Sequence, residues 1–167
     1  MKKIVVPVDF SHSAATALRF ASRLAATTGL GLQVVYVFNS LVPSNRRETP
    51  AERAAEQRAL QAQLEAFTRK HAGAAAAGAP APESLVAEGI PPNYVHWMSK
   101  QEEVVLIVIG GIGVGSAVHK DIFGDIARTV SRDGGCPLVI IPETFEEGGS
   151  LLSGTLCSGL PRLVTSD

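Results

Sequence analysis

Five short apolar runs divide the chain. They are Ile4–Val8, Leu32–Phe38, the weaker Glu83–Gly89, Val104–Gly110 and the stretch GGCPLVIIP at 134–142. None alternates apolar with polar residues as a strand with one wet face would. Between the runs, apolar residues recur at helical spacing. Ala17, Leu18, Ala21, Leu24 and Ala25 follow a start signal at Ser11 or Ser13, and Gly29 ends the pattern. Pro50 opens a long helix through about Ala72, with Leu60, Leu64 and Phe67 on one face. Arg53, Glu56, Arg58 and Glu65 form its solvated face. Pro91 or Pro92 sits in the first turn of a third helix, PPNYVHWMSKQEE, in which Trp97 and Met98 are expected in the core. A fourth helix is expected from about Asp125 to Arg132.

Strand, helix and strand within the opening segment make a βαβ unit, whose strands are parallel with a right-handed crossover. Repeated along the chain, non-alternating strands and intervening helices predict an α/β fold. It is a doubly wound, open, five-stranded parallel sheet with helices on both faces. The domain is expected to span residues 1–142. The polar stretch SLVPSNRRETP is a connector, and GAAAAGAPAP is expected to be a loop after Gly73. Residues 143–167 are Gly/Ser-rich with scattered leucines and are expected to be a separate tail, with Glu143 to Ser150 mobile.

Composition narrows the function classes. The chain has 167 residues, 46% of them hydrophobic and 19% charged, enough for one well-cored domain. Its net charge of −1 provides no basic field for nucleic acid or an anionic membrane. Two cysteines, Cys136 and Cys157, are too few for a disulfide scaffold or a zinc site. Pro7 and Asp9 interrupt the first apolar run too early for a secretory signal. No stretch approaches 18 apolar residues, so a cytoplasmic protein is expected.

The chemistry concentrates after the fourth strand. Gly110, Gly111, Gly113 and Gly115 crowd the loop, and Gly124 and Asp125 follow. Glycines after a strand mark backbone that approaches something closely, often phosphate, with N–H groups free to face it. Neither standard nucleotide motif is complete. A P-loop needs Lys where Ser116 stands, and a dinucleotide fingerprint needs a third glycine at the same place. Position still argues for a site. In open parallel sheets, ligands bind beyond the carboxyl ends of the strands where the strand order reverses. With strands one and four as neighbours there, Asp9 faces the glycine loop. A helix start at Gly124–Asp125 would aim its free N–H groups at the same spot. Asp9 is equally suited to cap the first helix together with Ser11.

The segments MKKIVVPVDFSHSAATALRFASRLA, VVYVFN, VAEGIPP, LIVIGGIG and GDIARTVSRDGGCPLVIIP, in that order, resemble the universal stress protein family. The likeness covers about residues 1–142. It implies strand order 3-2-1-4-5 and a homodimer paired through the fifth strand, Pro137 to Pro142. In one branch it implies ATP held by a G-x-x-G-x9-G-[ST] motif. The position of the loop and the resemblance together put the expected nucleotide site on Pro7, Val8, Asp9, Val37, Ile109, Gly110, Gly111, Gly113, Gly115, Gly124 and Asp125. Asp9 matches the family's acid, and Val37 matches the second-strand position beside the base. The chain departs from the motif. Anchored on Gly110 and Gly113, ten residues and not nine precede Gly124; anchored on Gly124, the spacing is nine but Val114 stands for the second glycine; on either alignment Asp125 replaces the Ser or Thr. A hydroxyl donates to phosphate, whereas an ionised carboxylate only accepts. Two like charges about 4 Å apart repel by roughly 4 kcal/mol at an effective dielectric near 20. A bridging Mg²⁺ is what would reverse that repulsion.

The expected function is therefore stress-protein-like binding of an adenine nucleotide, ATP or AMP, that is weak or degenerate. The alternative is a dimeric interaction module of the same fold with no nucleotide. No catalytic base, arginine clamp or metal-ligand cluster stands out, so any ATP hydrolysis is expected to be slow. His12, His71 and His96 are expected at the surface, and His119 with Lys120 is the pair that would add positive charge near a phosphate.

Overall fold

A computed structural model of the chain describes residues 1–38, 49–73, 80–111 and 120–145. The connector after the second strand, the joint at 74–79, the glycine loop with Gly113, Gly115, Ser116 and His119, and the tail from residue 146 lie outside the described residues.

The elements follow the expected alternation: β1 (Lys3–Pro7), α1 (His12–Thr28), β2 (Gly31–Phe38), α2 (Pro50–His71), β3 (Glu83–Glu88), α3 (Pro91–Ser99), β4 (Val104–Gly110), α4 (Lys120–Asp133) and β5 (Leu138–Ile141). All strand pairs are parallel, and the sheet order is β3-β2-β1-β4-β5. The strands are apolar throughout because both faces are covered. On one face Ile4, Val6, Val34 and Val108 pack with Ala17, Leu18 and Ala21 of α1 and Leu64 of α2. On the other, Val5, Val35, Ile107 and Ile109 pack with Val95 and Met98 of α3 and Ile126 and Val130 of α4.

Local signals define the helix ends. Ser11 Oγ accepts the Ala14 N–H and caps α1, and Gly29, at φ 70°, ends it in the left-handed region where glycine carries no steric cost. A reciprocal capping box between Thr49 and Glu52 starts α2, with Pro50 just inside it. The first turns of α2 are exposed, and only Leu64 and Thr68 of that helix are buried.

Three expectations differ from the structure. α3 stops at Ser99, four residues early, as the Lys100 and Gln101 N–H groups bond back to Trp97 and Met98 in a tightened last turn. Met98 is buried, but Trp97 is 55% exposed; it lies outward on α3, ring to ring with Tyr94 at 5.5 Å. α4 begins at Lys120, so Gly124 and Asp125 lie inside the helix and not at its start. One interior glycine costs only about 1 kcal/mol relative to alanine. Burial of Ile126 and Val130, one turn apart, outweighs that.

The first turn of α1 crosses the end of β4 at very close range. A methyl group built on Gly110 would lie 2.2 Å from Ser13 Oγ and 2.6 Å from both the carbonyl carbon and oxygen of Ser13. The alanine-rich inner face of α1 permits this approach, and glycine at 110 is what β4 contributes to it. Gly110→Ala is expected to destabilise the full chain by about 1–3 kcal/mol, the range for an overpacked interior. Urea unfolding reads the shift. Adding Ser13→Ala should not restore stability, because the Ser13 backbone is as much in the way as its hydroxyl. Recovery in the double variant would place the clash on the hydroxyl alone.

Candidate functional site at the carboxyl ends of β1 and β4

The strand order reverses between β1 and β4, and in open parallel sheets ligands bind beyond the carboxyl ends of the strands at such a reversal. The Val8 N–H donates to the Val35 carbonyl at 2.9 Å and carries the β1 pairing one residue past Pro7. The chain then turns sharply. Asp9 Oδ1 accepts the Ser11 N–H at 3.0 Å, and Ser11 Oγ accepts the Ala14 N–H at 3.1 Å. Asp9 thus holds the turn and Ser11 caps the helix, a division of the capping role expected for the two together. Phe10, between them, stands at φ 64°, an uncommon backbone for a bulky residue. Its ring lies 4.7 Å from Tyr36 and 5.5 Å from Phe67, in a packed aromatic group. Burial pushes the Tyr36 phenol above its ordinary range, and the carboxylates of Asp9 and Glu56 push it further.

Side-chain alternation along the strands decides what the crevice presents. Val5, Val35, Ile107 and Ile109 belong to the cluster under α3 and α4, and Val37 packs against it. Pro7 falls on the same face by alternation from Val5. Pro7, Val37 and Ile109 thus fall on one side of the sheet, towards the ends of three adjacent strands, with Pro7 and Ile109 buried. Val8 points the other way, into the α1 and α2 core, so only its backbone belongs to the crevice.

The described glycines have structural work of their own. Gly110 makes way for α1, as above. The Gly111 N–H donates to the Ile141 carbonyl at 2.5 Å, and the Gly111 carbonyl accepts the Ser13 hydroxyl at 2.5 Å. Both polar backbone groups of Gly111 are thus committed, and its N–H is not free for phosphate, contrary to the expectation for this loop. Gly124 and Asp125 bring no helix-terminal N–H groups to the crevice, because α4 has already begun. Asp125 is not a cap. Its Oδ1 accepts a hydrogen bond from Arg128 Nη2 at 2.6 Å, across an exposed i,i+3 pair.

Arg128 is the residue that sequence reasoning missed. Its signal was the spacing: a cation three positions after Asp125 lies on the same helix surface whenever both are helical. Of the three described histidines, His12 is exposed, and His71 and His96 make structural contacts. His96 Nε2 lies 2.9 Å from the Asp133 carbonyl, and Lys100 Nζ lies 3.8 Å from the Asp133 carboxylate, so α3 is clasped to the end of α4. The His71 ring lies 4.6 Å from Phe67, and desolvation holds its imidazole below the ordinary range, helped by nearby Lys70, Arg19 and His12. Among the described residues, no group of three or more His, Cys, Asp and Glu side chains is placed to hold a metal ion. None of the described helices is long and apolar enough to cross a membrane. Two cavities of about 300 and 310 Å³ lie away from the crevice, one between α2 and β3 and one at the amino ends of the strands.

The fold and sequence both have known counterparts. A universal stress protein from Archaeoglobus fulgidus is 28% identical, with a TM-score of 0.57, over 84% of this chain and 98% of its own. A universal stress protein solved in complex with cAMP is 20% identical, with a TM-score of 0.61, over 84% and 96%. An Archaeoglobus fulgidus universal stress protein in complex with dAMP is 24% identical, with a TM-score of 0.52, over 84% and 98%. None of the curated proteins matches. The sequence model of Usp, the universal stress protein family, matches residues 1–142. With 142 of 167 residues matched and the sheet order that the resemblance implied, the chain belongs to the universal stress protein family.

Proposed function

We propose that this protein binds an adenine nucleotide in the crevice beyond β1 and β4, and that it favours a monophosphate over ATP. What supports this reading is that Pro7, Val37 and Ile109 share one face of the sheet at the ends of β1, β2 and β4, with Asp9 in the turn that follows β1. In this reading they offer an apolar surface to a base, and Asp9 a carboxylate acceptor. The family supports the reading, since two of its members were solved with cAMP and dAMP, both adenine monophosphates. Val8, Gly110 and Gly111 shape the crevice through their backbone, and Gly113, Gly115, Gly124 and Asp125 complete the proposed set. Asp125 disfavours a triphosphate without Mg²⁺, and its pairing with Arg128 lessens that effect. The role is binding, not turnover, in the cytoplasm, with any ATP hydrolysis slow.

A second reading has a specific observation in its favour. Gly110 and Gly111 are accounted for by α1 and β5 without any ligand. A chain that kept only those constraints would be an interaction module with the family's fold.

Titration calorimetry on the full chain separates the two. AMP or adenosine should bind at least as well as ATP in EDTA, and Mg²⁺ should improve ATP alone. Asp9→Ala should weaken AMP by about tenfold or more, the scale of one lost charge-assisted hydrogen bond of roughly 1.5–3 kcal/mol. Absence of binding by any adenine compound would leave the interaction module standing. Tight ATP binding in EDTA would remove Asp125 as an obstacle.

We propose further that the domain of residues 1–142 forms a homodimer through β5, with residues 143–167 as a tail. β5 is an edge strand, and Ile140 on it is 51% exposed, an apolar edge that pairing would cover. Past Pro142, Phe145 turns back onto Phe20 of α1, with ring centroids 5.9 Å apart. Ile140→Lys should raise the dimer dissociation constant by about tenfold or more, a loss of at least 1.4 kcal/mol. Light scattering across a dilution series measures it. A wild-type monomer at micromolar concentration, or a dimer indifferent to Ile140→Lys, would contradict the β5 pairing.

A further inference from the structure

Among the described residues β3 forms one edge of the sheet, with β2 on one side of it and no strand on the other. An edge strand leaves ladder N–H and C=O groups open to any extended chain. Here a side chain fills part of the missing ladder. Gln61 of α2 donates from Nε2 to the Ser84 carbonyl at 3.1 Å and accepts the Val86 N–H on Oε1 at 3.3 Å. In a parallel ladder, one residue of the neighbouring strand does the same. Its N–H reaches the carbonyl of residue i−1, and its carbonyl receives the N–H of residue i+1. The Gln61 carboxamide makes that pair of bonds around Leu85. It carries the donor and acceptor of a peptide unit on a single side chain.

The mimic is held in place. Nε2 also donates to Glu65 Oε1 at 2.8 Å, one turn along α2, which fixes which end of the amide faces which ladder group. Beneath it, Leu64 is fully buried, and the Ser84 hydroxyl donates to Thr68 Oγ1 at 3.0 Å. Gln61, Leu64, Glu65 and Thr68 recur at helical spacing along the α2 surface that meets β3. At the carboxyl end of the same strand, Arg53 and Glu88 pair at 4.0 Å and lay charge along the edge.

We propose that Gln61 is a strand plug, which occupies the ladder position that a second copy of this chain would need in order to add a parallel strand at β3. The consequence is one-sided assembly. A sheet with two open edges adds copies without limit, whereas a sheet with one open edge closes as a pair. The plug itself does not depend on the β5 pairing proposed above.

The test compares full-length wild type with Gln61→Ala, Gln61→Met and Gln61→Glu. Methionine keeps the bulk of the side chain and removes both hydrogen bonds. Glutamate keeps an acceptor for the Val86 N–H and adds charge to the edge. Exchange of the Val86 amide should quicken by about tenfold in the Ala and Met chains, as expected for one lost local hydrogen bond. In sedimentation velocity, both should form species larger than the wild-type assembly that grow with concentration. The Glu chain should sediment as wild type. The proposal is overturned if folded Ala and Met chains sediment as wild type, or if the Glu chain associates as much as they do. A monomeric wild type would count against β5 pairing, while growth in the Ala and Met chains would still support the plug.

Discussion

The close approach of the first turn of α1 to the end of β4 governs how this molecule is put together. Ser13 lies where a side chain at position 110 would be, so β4 ends in glycine and α1 sits low on the sheet. The next residue then ties three elements together. Gly111 receives the Ser13 hydroxyl on its carbonyl and gives its N–H to the end of β5. The start of α1, the end of β4 and the end of β5 are thereby fixed against one another. The turn of Asp9, Phe10 and Ser11 feeds α1 from β1, so its position beside the β4 terminus follows from the same contact. The crevice inherits its walls from packing before any ligand is considered.

Phe10 shows the same economy from the other side. A bulky residue in the left-handed region costs on the order of 1–3 kcal/mol. Its ring lies against Tyr36 and Phe67, and partial burial of that size of aromatic surface offsets a cost of this order. The turn that presents Asp9 is therefore held by β2 and α2 as well as by its own hydrogen bond. A change in α2 packing has a direct route to Asp9 through Phe67 and Phe10.

Much of this was legible in the amino-acid sequence because burial on both faces leaves a strand continuously apolar. Val104–Gly110 coincides with β4, and Pro50 marks the start of α2. The strand order came from the family resemblance, since no local pattern states which strands are neighbours. The start of α4 was missed because Gly124 looks like a boundary, while the burial of Ile126 and Val130 that carries the helix through it is a tertiary fact. Trp97 was misplaced because a large apolar residue near a buried methionine reads as core, whichever side of the helix it takes. Gly110 and Gly111 were seen, but their reason was not; a glycine needed by a neighbouring helix is indistinguishable in sequence from one needed by a phosphate. The role of Gln61 was invisible for the same cause, as it exists only once α2 and β3 are in register.

The proposed function rests on an adenine site at Pro7, Val37 and Ile109, with Asp9 in the turn after β1. Methyl NMR of the full chain during AMP titration addresses it most directly. The account predicts that the methyl signals of Val37 and Ile109 shift together and saturate at one common concentration, while Leu32 at the amino end of β2 stays still. Shifts confined to Leu32 and its neighbours, or no saturable shift at Val37 and Ile109, would contradict it.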